Sequence, residues 1–122
     1  MELKELYETI GGNYQETISR LPSEGMIKKF VLKYTQDPTY AQLEKALEEK
    51  DWETAFRAAH TLKGVAQNLG FDALYQAAFA LTEQLRGAKP MQNEADWKAV
   101  QQAQKRILDS VQKFAEQASK QK

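Results

Sequence analysis

The chain has 122 residues, 42% of them hydrophobic and 28% charged; basic and acidic side chains balance at 17 each, with one histidine and no cysteine. That length suits a single domain with a core of its own. Zero net charge removes any long-range pull toward nucleic acid or an anionic membrane, and the residue counts exclude disulfides, thiolate chemistry and an imidazole-rich metal centre.

The opening Met1-Glu2-Leu3-Lys4-Glu5 carries charge where a signal peptide needs an apolar run, and no stretch approaches the ~18 apolar residues of a membrane span. A cytoplasmic protein is expected. Leu3, Leu6, Tyr7 and Ile10 keep helical spacing and Gly11-Gly12 stops it, which predicts a short first helix. Asn13 can cap a second short piece bearing Tyr14, Ile18 and Leu21, punctuated by Pro22-Ser23. Ser23 then caps a helix to about Tyr34 with Met26, Ile27, Phe30, Val31 and Tyr34 on one side. Asp37-Pro38 restarts the chain, with Pro38 at the first helical position. The thin stripe Tyr40, Leu43, Ala46 and Leu47 predicts a lightly packed helix at one end of the core.

Asp51 caps the next helix, which runs to about Asn68, where Gly70 can take the left-handed conformation that ends it. Asp72 opens another, with Leu74, Ala77, Ala78, Leu81 and Leu85 inward and Gly87 closing it. After a loop over 88–92, Asn93 and Asp96 start the last helix. Its stripe is Trp97, Val100, Ile107, Val111, Phe114 and Ala118, interrupted by Gln104, and Ser119 to Lys122 should fray. No segment alternates with period two. The expectation is an all-α protein, an antiparallel four-helix bundle with short extra N-terminal helices. Residues 1–122 form one domain on this reading, with 1–22 as the N-terminal helical segment and 23–118 as the bundle.

The helix begun by Asp51 holds the only histidine, in the stretch Ala59-His60-Thr61-Leu62-Lys63-Gly64-Val65-Ala66-Gln67-Asn68-Leu69-Gly70-Phe71. Advancing ~100° per residue gathers Ala55, Ala58, Ala59, Leu62, Val65, Ala66 and Leu69 into one apolar arc. His60 falls outside that arc. Gly64 and Gln67 flank it within about 40°, and Lys63 and Phe56 stand at the border of the core face.

The grouping has specific chemistry. A free imidazole titrates near pH ~6.5, so much of it is unprotonated and nucleophilic at neutral pH. Lys63 can reach past one turn toward an anion attached to His60; at ~4 Å such a contact is worth on the order of a few kcal/mol before solvation losses. A mid-helix glycine costs ~1 kcal/mol relative to alanine, which makes sense where a partner's backbone or a phosphoryl group must approach. Gln67 could bond an incoming phosphate or hold the ring. No second base, carboxylate pair or set of oxyanion donors accompanies them. The site can carry a group but is too sparse to do chemistry unaided.

His60-Thr61-Leu62-Lys63-Gly64, followed after four residues by Leu69-Gly70, resembles the H-x-L-K-G-x4-[LI]-G signature of histidine-containing phosphotransfer (HPt) domains. The helical order on either side fits from about Met26 to Phe114. The resemblance implies a four-helix bundle whose exposed histidine accepts a phosphoryl group from a receiver-domain aspartate and passes it on. It implies that His60 is phosphorylated on Nε2, that Lys63 neutralises the phosphoryl charge and that Gly64 leaves room for the receiver. Such transfer is loose and in line, needing position and charge neutralisation above all. By the same resemblance, Mg²⁺ belongs to the receiver, and the chain is a phosphoryl carrier with no cofactor or kinase activity of its own. Its partners would be response-regulator receiver domains and a hybrid histidine kinase, not nucleic acid or membrane.

One departure concerns what orients the ring. Many members place a Gln or Glu on the following helix against its other nitrogen, and the matching position is close to Thr82, followed by Glu83 and Gln84. Thr82, Gln67 or a less firmly held ring are the alternatives. Arg86 falls where some members carry a further basic residue near the phosphate. An apolar footing for the receiver would come from Phe56, with Phe71, Met26 or Phe30 as neighbours, although each also suits the core. The competing function is a helical adaptor that binds receivers without chemistry; the intact His60 and Lys63 argue against it. The last helix's stripe would also suit a dimer, but a bundle helix shows the same pattern, and a monomer is expected. Met1 and the complete bundle point to a free-standing protein.

Overall fold

Three N-cap residues close their helices with their own side chains in the computed structural model, which describes residues 2–21 and 23–120, with residues 118–120 as backbone only. Asn13 accepts the Glu16 N–H, Ser23 the Met26 N–H and Asp51 the Thr54 N–H, each satisfying a donor with no intrahelical partner. The helices are α1 (Leu3–Thr9), α2 (Tyr14–Arg20), α3 (Glu24–Tyr34), α4 (Thr39–Glu48), α5 (Trp52–Leu69), α6 (Asp72–Leu85) and α7 (Ala95–Lys120). There is no strand among the described residues, and none of their helices is long and apolar enough to cross a membrane. Met1, the Pro22 break and the fraying of Gln121 and Lys122 lie outside the described residues, as does the side chain of Ala118. The backbone of α7 stays helical to Lys120, past its expected end.

The architecture is the expected all-α antiparallel bundle. α4 with α5, α5 with α6 and α6 with α7 are packed pairs in chain order, and short connections between packed neighbours make them antiparallel. α3 lays Ile27, Val31 and Tyr34 against α5 and α7. Met26 and Phe30, expected in the same stripe, are 39% and 37% exposed; they lie ~60–100° around the helix from Ile27, beyond the arc that α3 buries. Pro38 precedes α4 rather than entering it, and the Asp37 carboxylate accepts the Thr39 N–H at 2.8 Å. Tyr40 of α4 stacks on Trp97 of α7 at 5.5 Å, joining the thin helix to the bundle. Gln104, the polar break in the α7 stripe, is buried and accepts the Tyr34 hydroxyl, so its burial leaves no orphaned acceptor.

The N-terminal helices are built into the same core: Leu3, Leu6, Tyr7 and Ile10 are all at most 2% exposed. They also finish α5. A helix leaves its last carbonyls without partners, and here the Phe71 N–H takes the Ala66 carbonyl at 2.9 Å as the chain turns at Gly70. The Tyr7 hydroxyl donates to the Leu69 carbonyl at 2.6 Å, Arg20 to that of Gln67 at 2.9 Å and the Asn13 N–H to that of Gly70 at 2.8 Å. In return the Ala73 N–H, at the start of α6, donates to the Gly11 carbonyl at 3.1 Å. The α1–α2 segment therefore fixes where α5 ends and where α6 begins. Those two helices carry the site.

Candidate functional site

Four alanines, Ala55, Ala58, Ala59 and Ala66, form much of the buried face of α5; small side chains let neighbouring helices approach closely. The opposite face is left to solvent, and His60 is exposed on it. Gln67 is exposed as well; Phe56 and Lys63 are half-buried on the side of α5 that meets α6, and Gly64 is half-buried on the face that carries His60. The spacing i, i+3, i+4 and i+7 places them on one side.

The His60 ring lies beside that of Phe56, 6.2 Å between centroids and 21° from parallel. Over the same Phe56 ring stands the Arg86 guanidinium, 5.6 Å from its centroid, a favourable cation–π placement. Arg86 in turn donates to both oxygens of Glu83, at 3.1 and 2.7 Å. The Lys63 ammonium rests over Phe79 at 5.4 Å, and Phe79 leans on Tyr75 at 6.1 Å. Three cations lie within a turn of His60 along α5 or against its Phe56: Arg57, Lys63 and Arg86. Arg57 is paired with Glu53 and Arg86 with Glu83. Among the described residues Lys63 alone of the three has no carboxylate at ion-pair distance, so it is the cation most readily given to a new anion. A Cβ added to Gly64 would meet nothing within 4 Å, so the surface beside His60 is open.

Two expected contacts are corrected. Thr82 is fully buried and its hydroxyl donates to the Ala78 carbonyl at 2.6 Å; one turn after Ala78, it belongs to the inner face of α6 and back-bonds its own helix. It does not face the imidazole. Phe71 is also fully buried, packed between Tyr7 at 5.9 Å and Tyr34 at 5.4 Å. Gly70 has turned it into the core, so it offers nothing to a docking partner. Among the described residues no hydrogen bond joins Gln67 to the imidazole; the Gln67 carbonyl is engaged by Arg20. Phe56 does lie beside His60, and Arg86 stands over the Phe56 ring.

Phe79 went unrecognised, and Glu83 entered only as the residue that follows Thr82. Phe79 is 44% exposed, and with Tyr75 and Glu83 it forms a four-residue repeat along α6, out of phase with the buried Leu74, Ala78, Leu81 and Leu85. An aromatic off the buried stripe was the available signal.

Two concavities lie elsewhere. A groove of about 650 Å³ runs between Leu21, Phe30, Pro38, Val65 and Leu69, and a smaller one of about 260 Å³ lies against Tyr7 and Tyr14. Neither includes His60, which fits a group presented to another protein better than one enclosing a small substrate. Among the described residues no three His, Cys, Asp or Glu side chains come together in a way that could hold a metal ion.

Searches against curated proteins and against solved structures give no match. The family model of the Hpt domain matches residues 34–117, from the end of α3 through most of α7, and so takes in His60 and every neighbour described above. That is more than half of the chain and the whole of the α4–α6 frame. With an exposed histidine on the second of its packed helices, the chain belongs to the Hpt domain family, whose members are phosphotransfer carriers working with receiver domains.

Proposed function

We propose that this chain is a cytoplasmic phosphoryl carrier in which His60 takes a phosphoryl group from the aspartyl phosphate of one receiver domain and yields it to another. The unprotonated Nε2 attacks phosphorus, an N–P bond forms, the aspartyl P–O bond breaks, and the carboxylate leaves with its electron pair. Nδ1 keeps its proton, so the phosphorylated ring carries positive charge and remains a good leaving group for the return step. Lys63 moves from Phe79 to the phosphoryl oxygens, whose charge of about −1.5 to −2 it partly offsets. Gly64 admits the receiver, and Phe56 with Phe79 gives it an apolar footing. The receiver supplies Mg²⁺ and the in-line geometry; nothing beside His60 would let this chain act as a kinase alone.

The observation that carries this reading is Lys63: a half-buried cation one turn from an exposed histidine, resting on a ring, with no carboxylate among the described residues at ion-pair distance. The test is incubation with a phosphorylated receiver domain. Acid-labile, base-stable label on the wild type and none on His60→Gln is expected. Equal labelling of both would refute the assignment. Tight receiver binding with no labelling under any condition would favour the adaptor.

A further inference from the structure

The two carboxylate–cation pairs near His60 are not equivalent. Glu53 and Arg57 form an exposed i,i+4 pair one turn before the histidine. Glu83 and Arg86 instead face the site, because the guanidinium stands over the Phe56 ring that also flanks the imidazole. Glu83 occupies both Nε and Nη2 of Arg86. That planar fork is the arrangement best suited to two oxygens of a phosphoryl group. Lys63 acts on the same carboxylate: the bond from Arg86 first, and then the charges of Arg86 and Lys63, hold the Glu83 carboxyl below its usual range. A resident anion therefore sits among the cations that a phosphoryl group on His60 would use.

We infer that Glu83 is a positioning residue that competes with the phosphoryl group for Arg86, and so weakens the hold of this chain on its phosphohistidine. The inference rests on the carrier function proposed above. Before transfer, Glu83 parks Arg86 on Phe56, the ring that also flanks the histidine. After transfer, the more highly charged phosphoryl group draws the fork away and leaves Glu83 exposed to water. A carrier that must also give up its cargo gains from this competition, since a fully available Arg86 would stabilise the phosphorylated state and slow the return step. Glu83 and Arg86 are exposed, so substitution leaves the core intact.

The experiment uses phosphoramidate as donor, which removes the receiver from the comparison. The His60 Nε2 lone pair attacks phosphorus, the N–P bond of the donor breaks and ammonia departs with the electron pair. Phosphohistidine lifetime after donor removal is followed by phosphorus NMR for wild type, Glu83→Gln, Arg86→Ala and the double variant. Glu83→Gln should lengthen the lifetime about two- to fivefold, the range an exposed ion pair spans. The gain should shrink in about 0.5 M salt, where screening is short-ranged, and should be lost in the Arg86→Ala background. Equal lifetimes for wild type and Glu83→Gln, or a gain that persists without Arg86, would overturn the proposal while leaving the carrier function intact. Failure of the wild type to accept phosphoryl from either phosphoramidate or a receiver would overturn the carrier function itself.

Discussion

The Phe56 ring lies one turn before His60 on α5 and only 21° from parallel with the imidazole, while its own face carries Arg86. One half-buried aromatic therefore links the two helices at the site. Replacing a fully buried Phe by Ala costs about 3–5 kcal/mol, and a half-exposed ring should cost less. Phe56→Leu is the sharper probe, because it keeps bulk, with a stability loss under about 1.5 kcal/mol, but removes the surface that Arg86 occupies. Transfer from a phosphorylated receiver should slow severalfold while the melting temperature falls by only a few degrees. Stopped-time labelling beside a thermal melt checks this, and wild-type transfer rates in Phe56→Leu would remove the ring from the site.

Gly64 separates partner access from local chemistry. Nothing lies within 4 Å of where its Cβ would be, so alanine fits the free protein and should stabilise α5 by about 0.5–1 kcal/mol. The added methyl would instead meet the docking receiver. A small displacement of reacting groups can cost about a hundredfold, so Gly64→Ala should slow receiver-dependent transfer strongly and leave phosphoramidate labelling unchanged. Slowing of both reactions alike would mean that the glycine serves the histidine directly rather than the partner.

What could be read beforehand follows from how locally each feature is encoded. Asn13, Ser23 and Asp51 announce helix starts through their own side chains, and Gly70 announces an end through its backbone, so these signals need no tertiary knowledge. The exposure of His60 follows from helical periodicity along α5 alone. Phe71 was misjudged because its surroundings come from distant parts of the chain, and Thr82 because a hydroxyl was not counted among the in-phase residues of α6. Phe71 is enclosed by Tyr7 and Tyr34, whose positions depend on how α1 and α3 pack. Thr82 resembles a surface residue until its hydroxyl is seen to bond within the inner face of α6. Phe79 was missed because counting only in-phase apolar residues discards an aromatic that faces outward.

Gly70 ties the N-terminal segment to the end of α5. Its φ is +71°, and a Cβ there would come within 1.8 Å of Thr17 Oγ1 and 3.1 Å of the Asn13 carbonyl. Alanine would incur the left-handed penalty of about 1–2 kcal/mol and would also push aside a buried hydroxyl that donates to Asn13 at 2.8 Å. Gly70→Ala should therefore lose more than about 2 kcal/mol in urea denaturation. Thr17→Ala removes the nearest obstruction, so the double variant should be less damaged than the sum of the singles by about 0.5–3 kcal/mol, the coupling expected of residues in contact. Strict additivity would show that α2 yields freely and that only backbone strain matters.

Tyr7 makes the fold sensitive to alkali. Burial pushes its phenol up to about 12, and burial raises Tyr34 in the same direction, whereas in the unfolded chain a tyrosine titrates near ~10. Above that value the unfolded state has lost protons that the folded state still holds, so stability falls as pH rises. The contribution is complete below pH ~10 and disappears through about 12 for Tyr7. Tyr7→Phe removes both this linkage and the hydroxyl donated to the Leu69 carbonyl at 2.6 Å, a loss of about 1–2 kcal/mol at neutral pH. The variant should accordingly start less stable than wild type at pH 8, and the two should converge between pH 10 and 12 as the wild type loses its advantage. Urea midpoints measured across that range decide it: a gap that stays constant to pH 12 would mean that folded and unfolded chains ionise the Tyr7 phenol alike, so that the fold does not hold it neutral.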